Sequence, residues 1–292
     1  MSTVIVLTVT GLGLGALYFL IASGLSLIFG LMRVLNFAHG AVLGVGAYLG
    51  WWASVHVGGP ATARMLVAVV AGTVGSAVLA ALVELLLVRP LYEREVAQVL
   101  VTVGLALAIV ALLSGIWGTD PKVYPVPSWM TDTSSVAGAL IPHGRVVTVL
   151  AGLVVLGLFV LFLRRTRYGL VVRAGVENRA MVTALGIDVR RAFTLVFTLG
   201  GAAAGLAGAL AGVYFGSVTP GLGSSLLIYA FIVVVIGGLG SVPGSALAAA
   251  VVGLVQQFTN YYAASGIGDL SVVLLLALVL LVRPQGLLGR TL

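Results

Sequence analysis

From Val4 to Leu31 the chain runs without a single charged side chain. An uncharged apolar run of about 18 residues or more spans the hydrocarbon core of a bilayer as a helix. In lipid every backbone N–H and C=O must be satisfied inside its own segment, which leaves helices as the form for such runs. Further apolar runs follow at 41–57, 64–88, 96–117, 146–163, 192–213, 225–239, 243–259 and 267–282. The predicted fold is therefore all-α: a polytopic integral membrane protein with eight or nine membrane segments. The last three runs are short enough to be broken, tilted or re-entrant helices as well as full crossings. The first run has no basic residue before it. It reads as a retained membrane helix, because a secretory signal opens with positive charge and has a shorter apolar core.

No stretch between the runs is polar enough to fold separately in water, so one membrane domain over 1–292 is expected. Only 8% of residues are charged, against about a quarter in soluble domains. The net charge of +7 comes from fifteen Lys and Arg. They sit in short loops between apolar runs, which is how membrane orientation is encoded and not how nucleic acid is bound. Arg33, Arg89, Arg94, Arg283, Arg290 and seven arginines between Arg164 and Arg191 fall on one side of the predicted membrane. Arg64, Lys122 and Arg145 fall on the other. Basic residues gather on the cytoplasmic side. The N-terminus is then expected outside and the C-terminus inside.

Several chemistries are excluded. There is no cysteine, hence no disulfide or thiol chemistry. The three histidines, at 39, 56 and 143, are too scattered to assemble a metal site. The lone lysine, Lys122, lies in "GTDPKVY", so the Gly-x-x-x-x-Gly-Lys-Ser/Thr nucleotide loop cannot occur. No nucleophile–base–acid set is evident. The chain is not expected to be an enzyme or to hold a cofactor or metal; energy from ATP would have to come from another polypeptide.

The longest polar segment is "RRTRYGLVVRAGVENRAMVTALGIDVRR", residues 164–191. Asn178 can cap a helix and Gly186 can end it in the left-handed conformation. Between them Met181, Ala184 and Leu185 form a small apolar face among arginines. Two partners suit a short amphipathic helix of this kind, lipid head groups or another protein. On the opposite side, residues 118–144 carry four of the nine prolines with Tyr124 and Trp129, and read as a structured lip.

Candidates for a passage through the membrane are few. Asn36 and His39 stand between two runs, where they serve either a hydrogen-bonded turn or substrate contact. Gly237, Gly238, Gly240, Pro243 and Gly244 interrupt an apolar stretch. Such residues break helices beside transport paths and also make plain turns. Glu84 is an acid inside an apolar run, placed to pair with Arg89, and Gln256, Gln257 and Asn260 cluster near the end of another run. Glycines four apart at 40/44, 46/50, 201/205 and 208/212 predict close helix packing inside one subunit, with a subunit interface as the alternative.

"ASGLSLIFGLMRVLNFAHGAVLGVGAYLG" resembles the first signature of the permeases of branched-chain amino acid ABC importers. "RYGLVVRAGVENRAMVTALGIDVRRAFTLVFTLGGAAAGLAGAL" resembles their cytoplasmic loop and following helix. "IGGLGSVPGSALAAAVVGL" and "LVLLVRPQGLLG" are similar to the C-terminal blocks. These likenesses run in order from about Ser23 to Gly289, and "NFAHG" sets the chain nearer the first permease of the usual pair. The resemblance implies a multi-pass protein of the bacterial inner membrane, paired with a second related permease. It also implies two cytoplasmic ATPase subunits, which carry the ATP and Mg, and a soluble substrate-binding protein outside. Glu177, Asn178, Arg179, Met181, Ala184, Leu185 and Gly186 become the ATPase-coupling element. The family also includes permeases for urea and short amides. A stand-alone channel or secondary transporter remains the alternative of another class.

Overall fold

The computed structural model describes residues 2–32, 36–92, 94–186, 188–264 and 266–289, without the side chains of 176–180 and 183. It is almost entirely helical. Helix α1 (Ser2–Met32) is followed by α2 (Ala38–His56) and α3 (Ala61–Val83). A π-helical turn (Glu84–Val88) and a 3-10 turn (Arg89–Leu91) then lead into α4 (Glu95–Trp117). A small folded segment contains β1 (Lys122–Val123), the one-turn α5 (Ser128–Thr131), β2 (Thr133–Val136) and β3 (Ala139–Pro142). Then come α6 (His143–Arg165), α7 (Arg167–Ala184), α8 (Val189–Phe215), β4 (Ser217–Val218), α9 (Leu222–Gly237), α10 (Val242–Tyr262) and α11 (Ile267–Val282). Among the described residues six helices are long and apolar enough to cross a membrane: α1, α3 with its continuation to Leu91, α4, α6, α8 and α10. At 1.5 Å per residue α1 is about 46 Å long, more than the hydrocarbon core requires.

The core is built on α1 and α8. Leu17, Leu20, Ile21 and Leu25 of α1 and Phe193, Val196 and Phe197 of α8 are buried together. Small residues let these backbones close in. A Cβ on Gly24 would lie 2.7 Å from the carbonyl oxygen of Gly200, and one on Gly205 would strike the Gly72 carbonyl of α3. The glycine pairs of α2 and α8 all turn inward: Gly40 meets Gly223, Gly46 meets Gly205, Gly208 meets Leu43 and Ala47, and Gly212 meets Tyr124. Internal packing, not a subunit interface, accounts for them.

The segment between α4 and α6 is a folded cap over one end of the bundle. β1 pairs antiparallel with β4, and β2 with β3. Trp51 Nε1 donates to the Val123 carbonyl at 3.0 Å, and Trp129 Nε1 to Thr62 Oγ1 at 3.0 Å. His143 links Ser134 and the Trp129 carbonyl, each at 2.7 Å. Tyr124 is buried under the cap, and desolvation pushes its phenol pKa up. A structured lip, rather than a loose connector, is what the prolines and aromatics of 118–144 build.

Candidate functional site

The functional candidates gather at the end of the bundle opposite this cap. There α1 ends, the Asn36 turn joins α2, the π and 3-10 turns join α3 to α4, α7 crosses, and a corner joins α9 to α10. The two basic sets separate accordingly among the described residues. Arg89, Arg94, Arg164, Arg165, Arg167, Arg173, Arg190, Arg191 and Arg283 lie at this end, and Arg64, Lys122 and Arg145 at the capped end.

The polar segment corrects one expectation. Asn178 does not start a short helix; it lies inside the 18-residue α7. The start is set by Thr166, whose Oγ1 accepts the Gly169 N–H at 2.9 Å, the usual satisfaction of an orphan donor in a first turn. Gly169 also lets α7 fold back closely on the end of α6. Asn178 is followed and preceded by helix-compatible residues with no proline, so nothing interrupts the turns before it. Val172, Gly175 and Val182 form the inward stripe of α7, with Gly175 against Leu31 of α1.

The other end of α7 follows expectation. Gly186 takes φ +76°, the left-handed stop. Asp188 then caps α8 by accepting the Arg190 N–H at 3.1 Å and pairs with Arg191 at 3.1 Å. Met181, Ala184, Leu185 and Gly186 are exposed, the two large side chains at 61% and 68%. The apolar face read from the sequence is therefore presented outward, together with Leu170. The side chains of Glu177, Asn178 and Arg179 lie outside the described residues.

The passage candidates lie at turns. Asn36 Oδ1 accepts the Ala38 N–H at 3.1 Å, and the Asn36 carbonyl accepts the His39 N–H at 3.3 Å. His39 is 1% exposed and its Nε2–H donates to the Ile21 carbonyl at 3.1 Å. The Asn36 side chain thus holds the start of α2, and His39 ties α2 to α1. Gly237, Gly238, Gly240, Pro243 and Gly244 make the α9–α10 corner. Gly238 and Gly240 have positive φ, Pro243 occupies the first turn of α10, and Ser241 Oγ accepts the Gly244 N–H at 3.1 Å. The tail seals this corner: the N–H groups of Leu287 and Leu288 donate to the carbonyls of Ile236 and Gly237 at 2.7 and 3.1 Å.

Two buried polar groupings join helices distant in sequence. Glu84 does not pair with Arg89. It is fully buried in the π turn and accepts hydrogen bonds from Tyr92 and from Thr194 Oγ1, the latter at 2.7 Å. Tyr92 also meets Phe193 edge to face at 5.0 Å. The first turns of α8 are thereby tied to the α3–α4 corner. Neither Tyr92 nor Thr194 stood out in sequence: Thr194 lies 110 residues from Glu84, and Tyr92, eight away, belongs to no recognisable motif. The second grouping lies mid-bundle: Tyr18 donates to Gln256 Oε1 and Gln256 Nε2 to Asp269, both at 2.7 Å, with Tyr229 stacked on Tyr18 at 4.8 Å. Gln256 was visible as a polar residue in a run; Asp269, at the start of α11, was not singled out. Among the described residues no cluster of His, Asp or Glu is fit to hold a metal.

An all-helical bundle with membrane-length helices, one capped end and one arginine-rich end with α7 packed there agrees with a wider comparison. The model of the branched-chain amino acid transport system permease component matches residues 7–283. The chain belongs to that family. The permease is 31% identical over 290 residues to the high-affinity branched-chain amino acid transport system permease protein LivH of Escherichia coli K12, covering 96% of this chain and 94% of that one. It is 31% identical over 295 residues to BraD of Pseudomonas aeruginosa, covering 97% and 94%. The probable LivH of Methanocaldococcus jannaschii is 28% identical, covering 92% and 88%. No solved structure matches the permease. Its relatives are permease subunits and not enzymes.

Proposed function

We propose that this permease is the membrane-spanning half of an ABC importer for branched-chain amino acids. A soluble binding protein delivers the substrate outside and separate ATPase chains supply the energy. The observation that carries the reading is the likeness to LivH and BraD, proteins named for that transport, over nearly the whole of both chains. In this reading the chain crosses the inner membrane nine times, by α1, α2, α3, α4, α6, α8, α9, α10 and α11. Its N-terminus and the 118–144 cap lie outside, and α7 and the C-terminus lie in the cytoplasm. The two separated basic sets support that orientation. A second, related permease completes the passage.

The C-terminal half of α7, Glu177 to Gly186, is the coupling element. Met181 and Leu185 present apolar surface to water, as a helix that seats in a groove of another protein does. When ATP binding brings the ATPases together, the force enters at α7. It reaches α8 through the Gly186 stop, and the α3–α4 corner through Thr194 and Glu84. ATP can drive the change only by favouring one conformation over the other.

The test is reconstitution in liposomes with and without the ATPases and binding protein. Uptake of leucine, isoleucine or valine that needs ATP and every component is expected. Uptake of urea or an amide instead would move the substrate within the family, and flux through the chain alone would make it a channel. Replacing Met181 and Leu185 together by Asp, or Gly186 by Val, is expected to leave ATP hydrolysis running while uptake is lost. Undiminished uptake by the double Asp variant would remove the docking role.

A further inference from the structure

Asp269 stands in the first turn of α11 and is exposed. Its depth follows from its partner. Gln256 donates to Asp269 Oδ1 from a place on α10 six residues before Tyr262, the last residue of that helix. At 1.5 Å per residue this is about 9 Å below the aromatic end of α10. Tyr261 and Tyr262 are exposed at that end, as amphipathic rings are at a membrane–water interface. Gln256 also accepts from Tyr18, near the middle of α1. The Asp269 carboxylate therefore opens below the interface, on a membrane-spanning segment.

Helix capping does not account for it. An acid in a first turn commonly serves the helix's own N–H groups. Here Asn260 Oδ1 does so, accepting the N–H groups of Gly266 and Gly268 at 3.1 and 3.0 Å. Asp269 instead takes the Gln256 amide at 2.7 Å, and Tyr229 interacts with the same carboxylate. Tyr18 holds Gln256, and the Tyr229 ring stacks on Tyr18. Tyr18 and Gln256 are only 2% and 5% exposed. Side chains of α1, α9 and α10 thus fix one carboxylate of α11, with a buried scaffold behind it and an open side in front. Among the described residues no Arg, Lys or His pairs with it. A charged group at this depth faces a water-filled passage or protein, because lipid penalises it heavily. Val273, one turn along the same face of α11, is also exposed. A carboxylate beside apolar surface suits a small molecule with a cationic head and an apolar body.

We propose that Asp269 binds the ammonium group of the amino acid in transit, with Val273 beside its apolar side chain. The proposal rests on the importer reading and names a residue of the passage. A transient ligand cannot orient its acceptor beforehand, so the protein must hold the acceptor in place. The Tyr18–Gln256–Tyr229 scaffold does this. A permanent partner, such as an arginine of the second permease, would orient the carboxylate itself.

In the complete reconstituted complex, Asp269→Asn keeps the shape and the acceptor for Gln256 but removes the charge. It is expected to assemble and to hydrolyse ATP as the parent does, with leucine uptake lowered about tenfold or more. The chain has no cysteine, so Asp269→Cys places a single thiol on it. Iodoacetate, which returns a carboxylate there, is expected to restore uptake. Iodoacetamide, which leaves a neutral group of nearly the same size, is not. Leucine present during turnover should slow both reactions, read on this chain by mass spectrometry. Uptake by Asp269→Asn equal to that of the parent would overturn the site, as would a thiol that neither reagent reaches in any nucleotide state. Loss of the second permease from the purified Asp269→Asn complex would also overturn it, because the carboxylate would then be an assembly contact. A parent complex that imports no branched-chain amino acid would instead strike the importer reading, and with it the ligand.

Discussion

Helices α8 and α4 both qualify as membrane spans, yet they are opposites in use. Within its most apolar window α8 is 67% buried and α4 only 17%. The buried helix is the less apolar of the two. It owes its place to Gly and Ala at close-contact positions, such as Gly200, Gly205 and Gly208. The exposed helix is rich in Leu and Val, with Leu100, Leu107 and Leu112 each at least 60% exposed. In water this ordering would be backward. In a bilayer lipid is as apolar as leucine, so burial follows van der Waals fit rather than hydrophobicity.

The comparison breaks most visibly by substitution at the α8 contact. Gly205→Leu forces a side chain into the Gly72 carbonyl and Ser76 and is expected to cost about 3 kcal/mol or more. It should abolish the monodisperse peak in size-exclusion chromatography of the detergent-solubilised protein. The same change at Gly104 of α4, where a Cβ meets nothing, should leave the peak intact; equal damage at both sites would erase the distinction. A smaller effect is expected where α8 meets the α3–α4 corner. Thr194→Val leaves the buried Glu84 carboxylate one donor short. It should lower stability by about 1–3 kcal/mol, read as an earlier thermal midpoint, with weaker coupling of hydrolysis to uptake.

The cap gives an effect of the opposite sign. Tyr124 Oη is buried without a partner among the described residues, so Tyr124→Phe is expected to be neutral or to raise stability by up to about 1 kcal/mol. A clear loss would point to a bound donor there. Smallest of all, Leu107→Ala on the open face of α4 should change the midpoint by less than the equivalent of about 0.5 kcal/mol.

Much of this was legible along the chain. Apolar length and hydropathy marked each apolar helix to within a few positions; the run read at 96–117 is α4 at Glu95–Trp117. Gly186 announced a helix stop, because few other residues accept φ +76°. The start of α7 was misread, since Asn178 has the chemistry of a cap but Thr166, twelve residues earlier, had already supplied one. The partner of Glu84 was misread for a related reason. Arg89 is near in sequence, but the π turn aims the carboxylate at Tyr92 and Thr194 instead. The burial of Gln98 and Thr102 on an otherwise open helix could not be seen at all, because spacing says which residues share a face and not what that face meets.

The sequence by itself determined that this is a helical membrane protein, which end of it carries the arginines, and the family to which it belongs. Those follow from properties that add along a chain: apolar length, charge placement and ordered motifs. Only the tertiary structure decided which glycines touch, that Arg167–Ala184 is one 18-residue helix with Met181 and Ala184 exposed, and which described polar atoms are left without partners. Those depend on contacts between residues far apart in sequence, and a linear pattern holds no record of distance in space.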